Sequence, residues 1–120
     1  LGLTHHPRPV LAAAHRLRAS AEFTETVRRG RRAGRPLLSV HLLLTADGAP
    51  ARVGLVVSKG VGGSVVRHRV SRRLRHLLRD RVAGLPAGAR VVVRAAPSAA
   101  TATSADLGAD LDAALLRVTR

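Results

Sequence analysis

The sequence predicts an α+β fold, a two-layer sandwich with helices packed against one central mixed sheet. Three observations carry that expectation. Residues 37–45 alternate, with Leu38, Val40, Leu42 and Leu44 facing one way and Ser39, His41 and Leu43 the other, which is the period of a strand. Residues 53–58 are rich in β-branched side chains, and Val91, Val92 and Val93 form a short buried strand within 90–95. Between them Val66, Val70, Leu74, Leu77, Leu78 and Val82 recur at three- and four-residue steps, the stripe of an amphipathic helix.

Taken in order, residues 1–14 hold two prolines and no clear period, and read as a flexible N-terminal arm on a single domain spanning 1–120. Ser20 is an N-cap for a helix over 21–29, Glu22 favours its positive end, and Gly30 stops it. Phe23 and Val27, four apart, share a face. The turn Ala46-Asp47-Gly48-Ala49-Pro50 joins the first two strands, which together read as a hairpin. Gly60, Gly62 and Gly63 break the second strand, Ser64 caps the long helix, and Gly84-Leu85-Pro86 ends it. Residues 97–103 are a loop of small residues. Ser104 then caps a last helix with Leu107, Leu111, Leu115 and Val118 as its stripe, Asp106 in its first turn and Arg117 in its last. The expected order is α-β-β-α-β-α, which packs as helices on a sheet.

Charge points to the partner. The chain has 21 Lys and Arg against 7 Asp and Glu, a net charge of +14, and every basic residue but Lys59 is Arg. Arg presents a planar fork that matches phosphate oxygens in pairs, so a polyanion is the expected partner, nucleic acid ahead of an anionic membrane. There is no Cys, which excludes disulfides and thiolate metal sites. No apolar run approaches the ~18 residues that span a bilayer, and residues 1–15 lack the apolar core of a secretory signal. A cytoplasmic location and no membrane partner are expected.

The basic residues concentrate at 59–81: Lys59, Arg67, Arg69, Arg72, Arg73, Arg75, Arg79 and Arg81, with Asp80 the one acid. At roughly 100° per residue, Arg69, Arg72, Arg73 and Arg79, with His68 and His76, fall opposite the Val/Leu stripe, and Arg67 and Arg81 lie nearer its edge. Solvated faces usually mix signs. A face of one sign is better explained by phosphates, which relieve its repulsion and release counterions. A second cluster, Arg28, Arg29, Arg31, Arg32 and Arg35, fits a strand of nucleic acid or a solvated turn equally.

No catalytic constellation emerges. Glu22 and Glu25, three apart, could hold a metal or serve the helix dipole. Asp106, Asp110 and Asp112 cluster on the last helix, and His5-His6 lacks further ligands, so no metal site is assigned. Gly60-Val61-Gly62-Gly63 before a helix could cradle phosphate, but it lacks the Gly-Lys-Ser/Thr ending of a nucleotide-hydrolysing loop. No small-molecule substrate is expected.

The stretch SKGVGGSVVRHRVSRRLR, Ser58 to Arg75, resembles the signature of the bacterial ribonuclease P protein subunit. Ser58, Lys59, Gly62, Val65, Arg67, Arg69, Val70, Arg72, Arg73 and Arg75 match it, and Arg16-Leu17, Glu22-Phe23 and Gly30 are similar to the family's start. The likeness runs from about His15 to Val118. It implies a fold like domain 2 of ribosomal protein S5, with a left-handed β-α-β crossover through the Arg helix. It implies that Arg67, His68, Arg69, Arg72, Arg73 and Arg75 lie on the catalytic RNA. Phe23, Arg16 and Lys59 would meet the 5′ leader of precursor tRNA, in a cleft between the first helix and the sheet. The protein would be a non-catalytic subunit, with Mg²⁺ held by the RNA subunit and no cofactor bound by the protein alone. His68 stands where the family has Asn, Gly60 replaces a second Lys, and Val27 and Val40 or His41 stand where aromatics are common. With Phe23 the single aromatic, stacking at ~1–3 kcal/mol per base has one platform; a core role for Phe23 is the competing reading. A general RNA-binding or ribosome-associated protein without a processing role is the alternative function.

Overall fold

The computed structural model describes residues 12–120. Most of the expected N-terminal arm, with His5-His6, lies outside them; at its end Ala13–His15 form a single 3-10 turn. The elements are α1 (Ser20–Arg29), β1 (Arg31–Gly34), β2 (Leu38–Leu44), β3 (Arg52–Val56), α2 (Ser64–Arg79), β4 (Ala89–Ala95) and α3 (Ser104–Val118). Short 3-10 turns at Val82–Gly84 and Pro97–Thr101 join α2 to β4 and β4 to α3. The α+β class and the mixed sheet stand as expected. The order gains one strand, because part of the second basic cluster is β1.

The four-stranded sheet runs β1-β2-β4-β3. β1 is antiparallel to β2, β2 is antiparallel to β4, and β3 is parallel to β4. The expected hairpin of β2 with β3 is therefore corrected: β4 inserts between them, and the true hairpin is β1 with β2. Its short connection carries Pro36, and Arg35 N donates to Leu38 O at 2.8 Å. Parallel pairing of β3 and β4 requires a crossover, and α2 supplies it.

Strand alternation sorts the side chains onto two faces. Val40, Leu42, Val53, Val91 and Val93 join Val70, Leu74 and Leu78 of α2 and Leu107, Leu111, Ala114 and Val118 of α3 in one core. Each fully buried Leu there contributes roughly 1.5–3 kcal/mol relative to exposure. The sheet with α2 and α3 is the two-layer sandwich. The sheet's other face carries Arg32, Ser39, His41, Arg52, Gly54, Arg90, Val92 and Arg94, and α1 lies across it.

The caps sit one residue earlier than expected. Ala19, Gly63 and Thr103 precede the three helices, and only Thr103 caps with its side chain, accepting from Asp106 N at 3.1 Å. Ser20, Ser64 and Ser104 are each the first helical residue.

Candidate nucleic-acid interface

α2 presents the first surface. Val70, Leu74 and Leu78 are buried, so the helix turns His68, Arg72, Arg75 and His76 to solvent. Val65 also points outward, 77% exposed, and lines a shallow hollow of about 480 Å³ with Ser64, His68, Arg69 and Arg72. Arg69 and Arg73 behave differently from the rest of the expected strip. The 97–103 segment packs beside them, and they donate to the carbonyls of Ala100 (3.0 Å) and Ala102 (2.9 Å). Arg67 is half-buried at the edge of the core, and its Nε is buried without a hydrogen-bond partner.

The acids explain why this face keeps its charge. Glu22, Glu25, Asp47, Asp80, Asp110 and Asp112 pair with Arg29, Arg35, Arg52, Arg79, Arg81 and Arg90. Among the described residues no carboxylate pairs with Arg67, Arg69, Arg72, Arg73 or Arg75. Hydrogen bonds from Arg81 hold the Asp112 carboxyl below the usual carboxylate range.

The second surface is the groove between α1 and the sheet. Thr26 is the one buried residue of α1; Phe23 and Val27 are half-buried. The Phe23 ring lies directly on Gly54, where an added Cβ would overlap it. A glycine in a strand often marks such a close approach. Phe23 lines two hollows: one of about 410 Å³ with Arg16, Leu17, Arg18, Val53, Gly54, Leu55 and Arg75, and one of about 370 Å³ with Thr24, Val27, Arg28, Val56 and Arg94. The ring is thus a wall shared by two basic hollows and is not part of the core cluster. Arg16 is positioned by a parallel bridge to Val53, and Leu17 N donates to Val53 O at 3.0 Å.

Arg75, grouped from the sequence with the α2 strip, lines this groove beside Arg16 and Phe23. Lys59 is exposed in the turn after β3 and lines neither hollow. Arg18, Arg28, Arg94 and Gly54 were not singled out for the groove at the level of sequence. Strand parity offered a signal for Arg94, which lies on the opposite face from Val91 and Val93.

His41 lies under α1, 4% exposed, and neither ring nitrogen makes a hydrogen bond. Burial lowers its pKa from the ordinary 6.5; Arg32 and Arg94 lower it further, and the nearby Val27 backbone acts weakly in the opposite sense. Among the described residues no group of three or more His, Asp or Glu is placed to hold a metal ion. Glu22 and Glu25 instead face Arg52 and Arg90. No helix of the described residues is long and apolar enough to cross a membrane.

A basic α+β domain with an arginine-rich helix face and an aromatic seated in a basic groove defines a class of polyanion-binding modules. Comparison with known proteins narrows it. The ribonuclease P family model matches residues 11–119. A ribonuclease P protein component of a Nocardioides species is 58% identical over 111 residues, covering 91% of this chain and 95% of its own length. One from Streptomyces avermitilis is 56% identical over 117 residues, with the same coverages. The structure of the Staphylococcus aureus RNase P protein superposes with a TM-score of 0.78 at 22% identity, covering 85% of this chain and 93% of that one, which supports the fold. The chain belongs to the ribonuclease P protein family, the protein components of a tRNA-processing ribonucleoprotein endonuclease.

Proposed function

We propose that the chain is the non-catalytic subunit of ribonuclease P, acting in the cytoplasm on precursor tRNA. The RNA subunit holds Mg²⁺ and cleaves the phosphodiester, releasing the 5′ leader; no cofactor binds to the protein alone. Two surfaces divide the protein's work. Arg72 and His68 of α2, flanked by Arg67, Arg69 and Arg73, lie on phosphates of the catalytic RNA. The α1–sheet groove holds the single-stranded leader, with a base on Phe23 and phosphates on the arginines of the two hollows. Lys59, exposed in the turn after β3, meets precursor tRNA from outside the groove.

The observation that carries this reading is the Phe23 ring, seated on Gly54 between two basic hollows. The ring is half-buried, with Leu17, Val53, Leu55, Val27 and Val56 around it and Arg16, Arg18, Arg28, Arg75 and Arg94 at the rims of the same hollows. Stacking on an aromatic contributes about 1–3 kcal/mol per base. Phe23→Ala is therefore expected to weaken binding of leader-bearing precursor tRNA by that amount and to leave mature tRNA unchanged. Binding titrations of both RNAs measure it. Equal loss for both, or loss of fold by circular dichroism, contradicts the leader assignment.

A further inference from the structure

The chain has seven acids, and three of them, Glu22, Glu25 and Asp47, meet at one corner of the groove. They close on Arg52 and Arg90, which are register partners on β3 and β4. Arg52 Nη2 lies 3.2 Å from Glu22 and 3.7 Å from Asp47; Arg90 lies 3.4 Å from Glu22 and 2.8 Å from Glu25. Both guanidiniums are largely covered, with side chains 25% and 16% exposed. Further along β4 Arg94 is exposed, as are Arg32 of β1 and Arg28 of α1, and among the described residues none of the three has a carboxylate partner. One face of the sheet thus offers two kinds of arginine, masked at the Arg52–Arg90 corner and unmasked beyond Phe23.

This pattern is not needed to hold charge in check, since among the described residues Arg67, Arg69, Arg72, Arg73 and Arg75 of α2 stand together without a carboxylate partner. Its effect is on a phosphate chain. A phosphate at the unmasked end meets bare guanidiniums. A phosphate at the masked corner meets carboxylates, well within the ~10 Å over which charges act at 0.1 M salt. We propose that Glu22 and Glu25 are specificity-determining residues: they mask Arg52 and Arg90, exclude phosphates from that corner, and so confine a single strand to the path from Arg16, Arg18 and Arg75 across Phe23 to Arg28 and Arg94. The inference rests on the reading that the groove takes the leader strand.

The test is a salt titration of binding to leader-bearing precursor tRNA, leaderless tRNA and an unstructured single-stranded oligonucleotide. Glu22→Gln/Glu25→Gln keeps side-chain shape and removes both charges. It is expected to tighten binding of the oligonucleotide, to steepen its slope of log affinity against log salt by about 0.7 per newly engaged phosphate, and to narrow the preference for a leader. Adding Arg52→Gln and Arg90→Gln should return the slope to that of the unaltered protein. An unchanged slope, or weaker leader binding at constant slope, overturns the proposal and leaves the four residues as a brace for α1. Where circular dichroism shows that the Glu pair is needed for folding, two single changes decide. Arg94→Gln should lower the slope by about 0.7 and Arg52→Gln should not; equal lowering by both overturns it. Equal binding of leader-bearing and leaderless RNA by the unaltered protein would instead defeat the leader reading, whatever the slopes.

Discussion

Arg72 and Arg73 are neighbours in sequence and separate in role. Arg72 is exposed, whereas Arg73 and Arg69 reach the carbonyls of Ala102 and Ala100. A hydrogen bond of this kind contributes about 1 kcal/mol net. Arg73→Ala should therefore lower unfolding free energy by about that much and Arg72→Ala should not, measured by urea denaturation. The salt dependence of RNA binding is accordingly cleanest in Arg72→Ala. His41 gives a second residue-scale expectation. Its folded pKa is depressed, so the unfolded chain binds the proton more readily at mildly acid pH. Stability rises with pH where the unfolded state holds more protons. The contribution is fully present above 6.5, the unfolded value, and is lost as pH falls from there toward the folded pKa. Denaturation between pH 7.5 and pH 5 measures it; His41→Leu should flatten that slope, and an unaltered slope would show that other groups cause it.

Elements show what pattern alone can reveal. The period of 3.6 points to α2 and its buried stripe, the period of 2 points to β2, and short runs of β-branched residues point to β3 and β4, the last buried on both faces at Val91, Val92 and Val93. β1 escaped notice because Arg31, Arg32 and Gly34 are exposed and only Ala33 faces the core; four residues give no readable alternation. The pairing of β2 with β3 was misread because adjacency in sequence is the usual guide, and nothing within either strand says that β4 will enter between them. The α2 arginines were legible from angle, but the 97–103 segment that captures Arg69 and Arg73 is distant in sequence. The groove was legible only through the family resemblance, since its walls come from α1, β3, β4 and the 16–18 segment. Asp110 illustrates the same long reach. It accepts from Leu37 N at 2.9 Å and Arg35 Nε at 3.3 Å, tying α3 to the β1–β2 connection. Asp110→Ala leaves the Leu37 N–H without that partner and should cost about 1–3 kcal/mol in thermal or urea unfolding. A change under 0.5 kcal/mol would show that water replaces the carboxylate.

For the whole molecule, the distribution of seven acids among 21 basic residues decides which surfaces remain positive. Six acids pair with arginines at the C-terminal ends of α1 and α2, along the sheet's masked corner, and around α3, and Asp106 sits in the first turn of α3. Among the described residues, Arg67, Arg69, Arg72, Arg73 and Arg75 of α2 and Arg28, Arg32 and Arg94 at the far end of the groove have no carboxylate partner. Under the proposed function those two surfaces take two RNA partners, one for docking and one for positioning, and the protein screens phosphate charge beside the Mg²⁺ of the RNA subunit. The most direct measurement adds the purified chain to a matched catalytic RNA and a leader-bearing precursor tRNA at low Mg²⁺. The account predicts that the RNA alone is nearly inactive there, the protein alone cleaves nothing, and the two together release the 5′ leader. Binding of both RNAs without restored cleavage, or cleavage by RNA-free protein that a single substitution such as Glu22→Gln abolishes, would contradict it.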